Sequence, residues 1–174
     1  METKKTPPPV LKLLSSADYT VPGEYVADTR DYEDHTFSGI MFNIVAKKHL
    51  PVKYVEIMAI WVRGQLGRMQ NVGEVNSSFE ICQTDVHDPS VSTLSPLKLS
   101  PSIKLKPGEA IGVYVHSSRF GDQAIVYNNQ HGVETHSDDF LKILPGMAHT
   151  SSQAFNPVSP WGHTSWRRRR EFVG

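Results

Sequence analysis

Apolar and polar positions alternate most clearly in residues 109–117, where Ile111, Val113 and Val115 interleave with Gly112, Tyr114 and His116. A period of two sets the branched side chains on one face of a β-strand. Lys106-Pro107-Gly108 ahead of it is a turn signal. A further apolar run, residues 123–127, follows the polar link 118–122. Two such runs around a short polar link predict a β-hairpin.

Residues 37–46 are largely apolar at both parities, which predicts a central strand covered on both sides, or one that changes environment along its length. Residues 52–62 form the next predicted strand, with Val55, Ile57, Ala59 and Trp61 on one face and Tyr54, Glu56, Met58 and Ile60 on the other. The stretch 63–104 carries weaker signals: a short strand at 79–82, turns at Asp88-Pro89-Ser90 and Ser100-Pro101, and brief pairing at 97–99 or 103–105. Residues 128–139 are polar and read as a loop. Residues 140–144 read as a strand or one helical turn, stopped by Pro145-Gly146. Residues 165–173 read as a last strand. There Trp166, Arg168, Arg170 and Phe172 share one face, and Arg167, Arg169, Glu171 and Val173 share the other.

Short strands punctuated by Pro and Gly predict an all-β chain, an antiparallel two-sheet β-sandwich of jelly-roll type with about eight strands. Its expected core is Phe42, Ile44, Val55, Ile57, Ile111, Val113, Val115 and Ile125. Thr6-Pro7-Pro8-Pro9 makes residues 1–20 an extended tail, and residues 21–174 form the domain.

Composition narrows function mainly by exclusion. The 174 residues carry 18 basic and 18 acidic side chains, so the general basic surface of a nucleic-acid binder is missing. The one cysteine, Cys82, cannot form an intrachain disulfide and reads as apolar packing. The first residues lack a leader-like apolar segment, and no run approaches the ~18 apolar residues that cross a bilayer. An intracellular, cytoplasmic protein with no membrane insertion is expected.

His131 and His136 share a polar stretch with Asp138 and Asp139, but a His-x4-His spacing in a loop is a poor match to a tetrahedral zinc site. The histidines are expected at the surface or in turns, with no metal and no cofactor. The chain has no Gly-x-Ser-x-Gly elbow and no phosphate loop, so no catalytic residues are assigned. The candidate binding residues are Trp161, Trp166, Arg167 and Arg169, because aromatic and arginine side chains are enriched at binding hot spots. The competing reading is a charged edge strand that blocks aggregation, or one paired with the acids between Asp28 and Asp34.

Phe37-Ser38-Gly39-Ile40-Met41-Phe42-Asn43-Ile44, the second strand at 52–57, Pro107-Gly108-Glu109 before Gly112-Val113-Tyr114-Val115, and the segment 139–146 together resemble a loose group of microbial and algal β-sandwich modules. The resemblance covers about four-fifths of the chain and implies a sandwich fold with no catalytic residues. The arginine-rich end departs from that group's aromatic final strand. The expected function is a non-enzymatic interaction module contacting a protein partner or a second copy within a larger assembly. A carbohydrate-binding module is the alternative, with Trp61, Trp161, Trp166 and Tyr127 as its aromatic candidates. A jelly-roll hydrolase or metal enzyme is the third reading.

Overall fold

The computed structural model describes residues 24–30, 35–50, 52–64, 70–74, 80–84, 90–117, 125–158 and 162–174, with side chains described in all of these except 70–74, 80–84 and 90–92. Among the described residues the regular structure is entirely β and the pairing is antiparallel. The strands are β1 (His35–Phe37), β2 (Gly39–Ala46), β3 (Val55–Gly64), β4 (Gln70–Glu74), β5 (Glu80–Thr84), β6 (Ser90–Leu105), β7 (Ala110–Ser117), β8 (Ile125–Asn129), β9 (His136–Ser137), β10 (Leu141–His149) and β11 (Trp166–Phe172). The large sheet runs β1-β8-β11-β10-β2-β7-β4-β5, and β9 pairs with β10 beside the start of that strand. β3 and β6 form a separate two-stranded ribbon.

β2 is central, as its apolar pattern requires. It pairs with β10 on one side and with β7 on the other. Its even positions Ile40, Phe42, Ile44 and Ala46 are buried, while Met41 and Val45 are half-buried and Asn43 is exposed. They join Ile111, Val113, Val115, Ile125, Leu141, Ile143 and Phe172 of the large sheet in one apolar cluster. Val55, Ile60, Val62, Leu97, Leu99 and Leu105 of the ribbon belong to the same cluster. Burying this much branched and aromatic surface is the main stabilising term.

Seven of the eight expected core residues are buried, and Ile57 is half-buried against the cluster. The expected hairpin does not form. β7 pairs with β2 and β4, whereas β8 pairs with β1 and β11, so β2, β10 and β11 lie between them. Adjacent apolar runs do not by themselves dictate pairing when longer-range partners complete a sheet.

The ribbon corrects the expected faces of β3. Ile57 pairs with Ile103 and Ala59 with Lys98, so Met58 sits opposite an irregular stretch of β6. This shift inverts the alternation. Ile60 and Val62 turn inward and Trp61 turns out, because the strands fall out of step where two residues of β3 span five of β6, and a slip in register flips the side chains beyond it. The predicted turn at Ser100-Pro101 is this irregularity, inside the sixteen-residue β6. Proline is tolerated there because a bulge needs no ladder N–H. Pro145-Gly146 likewise interrupts β10 without ending it, since the register shifts between Leu144 and Met147 and pairing resumes. The predicted tail, residues 1–20, lies outside the described residues.

Candidate functional site

β11 is not an edge strand. It pairs with β10 through Arg167, Arg168 and Arg170 and with β8 through Arg170, Glu171 and Phe172. The expectation of a charged edge is therefore overturned. The arginine run can lie inside a sheet because an internal strand still has an outer face, turned away from the apolar cluster.

Cross-strand register composes that outer face. Trp166, His149, Gly39 and His116 stand in one row across β11, β10, β2 and β7. Two residues along, Arg168, Met147, Met41 and Tyr114 form the next row. Paired residues point to the same side of a sheet. Gly39 leaves a gap in the first row, and the rings of His116 and His149 approach to 5.5 Å. A Cβ at Gly39 would lie 2.6 Å from the Val115 carbonyl oxygen and 3.2 Å from His116 Cδ2, so only glycine fits there.

Segment 150–157 closes over this row. His149 Nε2 donates to the Asn156 carbonyl at 2.8 Å, and His116 Nε2 donates to the Ser151 carbonyl at 2.9 Å. A carbonyl only accepts, so a neutral His149 carries its proton on Nε2 and leaves Nδ1 as acceptor. Tyr114 Oη therefore donates to His149 Nδ1 at 2.7 Å. Trp166 packs on His149 with centroids 4.2 Å apart. His116, His149 and Tyr114 are buried, which corrects the expectation that the histidines lie at the surface or in turns. Burial pushes the His116 pKa down to about 4, opposed by the Ser151 carbonyl and helped by His149. Burial also lowers His149, against the Asn156 carbonyl, and raises Tyr114 well above the ordinary phenol. These hydrogen bonds fasten segment 150–157 to the sheet.

The second row is open at Arg168, Met147 and Met41, while Tyr114 at its end is buried. Met41, Pro145, Gly146 and Met147 line a shallow groove of about 320 Å³ with Asn43 and Gln130, and Arg168 and Arg169 stand over it. A β-bulge builds this arrangement. Gly146 pairs with Arg170 and Met147 with Arg168, leaving Arg169 as the extra residue. Arg169 takes the left-handed conformation, φ 59°, which costs a side-chain-bearing residue about 1 kcal/mol. The carbonyls exposed by the bulge are satisfied. Arg170 Nη1 donates to the Arg168 and Arg169 oxygens at 3.0 Å, and the Gln130 N–H donates to Arg169 O at 3.0 Å.

The predicted faces of β11 change at this bulge. Trp166 and Arg168 face outward, whereas Phe172 turns into the core and Arg170 approaches the Tyr127 ring at 5.7 Å. Arg167 is half-buried in the row of buried Ala148 and Ile40. Of the predicted residues, Arg169 lies on the groove, Trp166 anchors the strand beside it, and Arg167 lies on the opposite face. Trp161 lies outside the described residues. Arg168 was missed because no sequence signal marks a bulge among four identical residues. Asp28 does not meet the run. It pairs with Arg30, whose hydrogen bonds hold its pKa down to about 2. Residues 31–34 lie outside the described residues. Among the described residues no carboxylate pairs with Arg167, Arg168 or Arg169.

The other candidates separate. His136 Nε2 meets Asp138 at 2.9 Å, while His131 lies beside Glu171. Asp138 also accepts from the Phe140 and Leu141 N–H groups, so it caps a turn. Among the described residues no three His, Cys, Asp or Glu side chains converge on a metal position. Trp61 is exposed on the ribbon and Tyr127 is buried, so with half-buried Trp166 they form no common exposed row. No helix among the described residues is long and apolar enough to cross a membrane. Comparison with protein-family models, with curated proteins and with solved structures finds no match.

Proposed function

We propose that the protein is a non-enzymatic interaction module that holds a protein partner on the outer face of its large sheet, at Arg168 and Arg169 beside the Trp166 anchor. The observation that carries this is the bulge. Two exposed arginines without a carboxylate partner among the described residues stand on an internal strand, one of them in a strained conformation. Bulges re-aim side chains, and local strain clusters at binding sites. We read the ribbon and the large sheet as the two layers of a jelly-roll-like β-sandwich, supported by the apolar cluster to which both contribute. The part of the outer face that segment 150–157 leaves uncovered, at the groove, is then available for binding.

The test is affinity capture by the wild-type chain and by the R168A/R169A double variant, with proteins quantified by mass spectrometry. A protein retained by the wild type, lost by the variant and released as salt rises is the expected result. Equal retention by both, at equal melting temperature, excludes this surface. Binding on a glycan array that persists in the double variant replaces the reading with the carbohydrate alternative.

A further inference from the structure

Resting on that reading, the geometry points to the ligand class: we infer that the groove takes an extended acidic peptide segment with an apolar side chain between two carboxylates. Three features carry it. The floor is apolar, formed by Met41, Pro145 and Met147. Methionine and proline offer contact area with no hydrogen bonds to lose, and methionine adapts to different side chains. The two arginines at one side are cationic, and guanidinium groups bind carboxylates bidentately. Asn43 is exposed at the opposite end of the lining, where its amide can both donate to and accept from a peptide backbone.

Size and shape favour a peptide. The groove holds about 320 Å³, at the lower end of the ~300–1,000 Å³ typical of small-molecule pockets. It is shallow and open to solvent, so it suits one side chain of a longer chain. Single-stranded nucleic acid is disfavoured because base stacking needs aromatic platforms. The nearest ring on this face, Tyr114, is buried under segment 150–157, and Trp166 is spent on His149. The 18 acidic residues also balance the 18 basic ones, so the overall positive charge that favours nucleic acid is missing.

The experiment is an amide NMR titration of the full chain with the acetylated, amidated peptide Gly-Ser-Glu-Leu-Glu-Ser-Gly. Parallel titrations use the peptide with serine in place of leucine, the peptide with lysines in place of both glutamates, and hexauridylate. The expected result is saturable shifts confined to residues 41–43, 145–147 and 168–170. R168A/R169A should weaken binding about fivefold or more, as the loss of two partly exposed ion pairs would. The serine peptide should bind more weakly and the lysine peptide not at all. Equal binding of the leucine and serine peptides overturns the apolar part while leaving the arginine surface intact. No shift with any peptide, while the double variant still loses its captured protein, overturns this inference and spares the reading beneath it. Hexauridylate binding more tightly at the same residues overturns both.

Discussion

Phe42 and Phe172 stack with ring centroids 4.3 Å apart, although β10 runs between the strands that carry them. Between them, Gly146 of β10 lies close against the β2 backbone. A Cβ there would lie 1.8 Å from the Met41 oxygen and 2.9 Å from Phe42 Cα. Phe172 lies on β11 two residues past Arg170, where the bulge ends, so the aromatic stack ties that end of β11 to β2. Phe42→Ala and Phe172→Ala should each cost about 3–5 kcal/mol. A double-mutant cycle by urea denaturation should give a coupling of about 0.5–1.5 kcal/mol. Additive losses would show that the rings pack independently.

The conformation of Arg169 gives a second expectation. Glycine adopts positive φ freely, whereas a β-branched residue there is severely disfavoured. Arg169→Gly should leave the melting temperature unchanged or raise it, and Arg169→Val should destabilise by about 1–2 kcal/mol. Equal destabilisation by both would show that the side chain, not the backbone, matters for folding.

Acid should unfasten the outer face. The His116 pKa falls from its ordinary 6.5 to about 4 on burial. Between those values the unfolded chain binds a proton that the folded chain excludes. The stability from His116 is thus complete above pH 6.5 and is lost as pH falls towards about 4, by up to about 3 kcal/mol. Buried His149 shifts in the same direction. The checks are urea midpoints from pH 8 to pH 4 and NMR titration of the His116 ring. A ring titrating near 6.5 in the folded protein would remove the effect.

Tyr114→Phe should leave His149 Nδ1 without its donor and the Phe155 N–H without the acceptor it meets at 3.5 Å. A loss of about 1–3 kcal/mol is expected for unsatisfied buried groups. Nitrogen shifts of the wild-type ring should report His149 protonated on Nε2. The Nδ1-protonated form would reverse the direction of the Tyr114 bond.

The strand content, the central place of β2 and most of the core were legible in the sequence. Alternation is local, and burial of Phe42, Ile44, Ile111, Val113 and Val115 follows from it directly. The candidate site was legible only by composition. Trp166 and Arg169 stood out by residue type, but the irregularities opposite Met58 and at Arg169 were not visible. Each reverses the alternation beyond it, putting Ile60 in place of Trp61 on the buried side and turning Phe172 inward.

His116 and His149 were hidden for a related reason. They are 33 residues apart in number and meet only because β2 sets Gly39 between them. Local sequence determined where strands form, because side-chain alternation needs only neighbours along the chain. Tertiary structure decided which strands pair, where the register slips and which arginines reach the groove. Those outcomes depend on hydrogen bonds and steric gaps between residues far apart in sequence, such as the close approach of Gly146 to Met41.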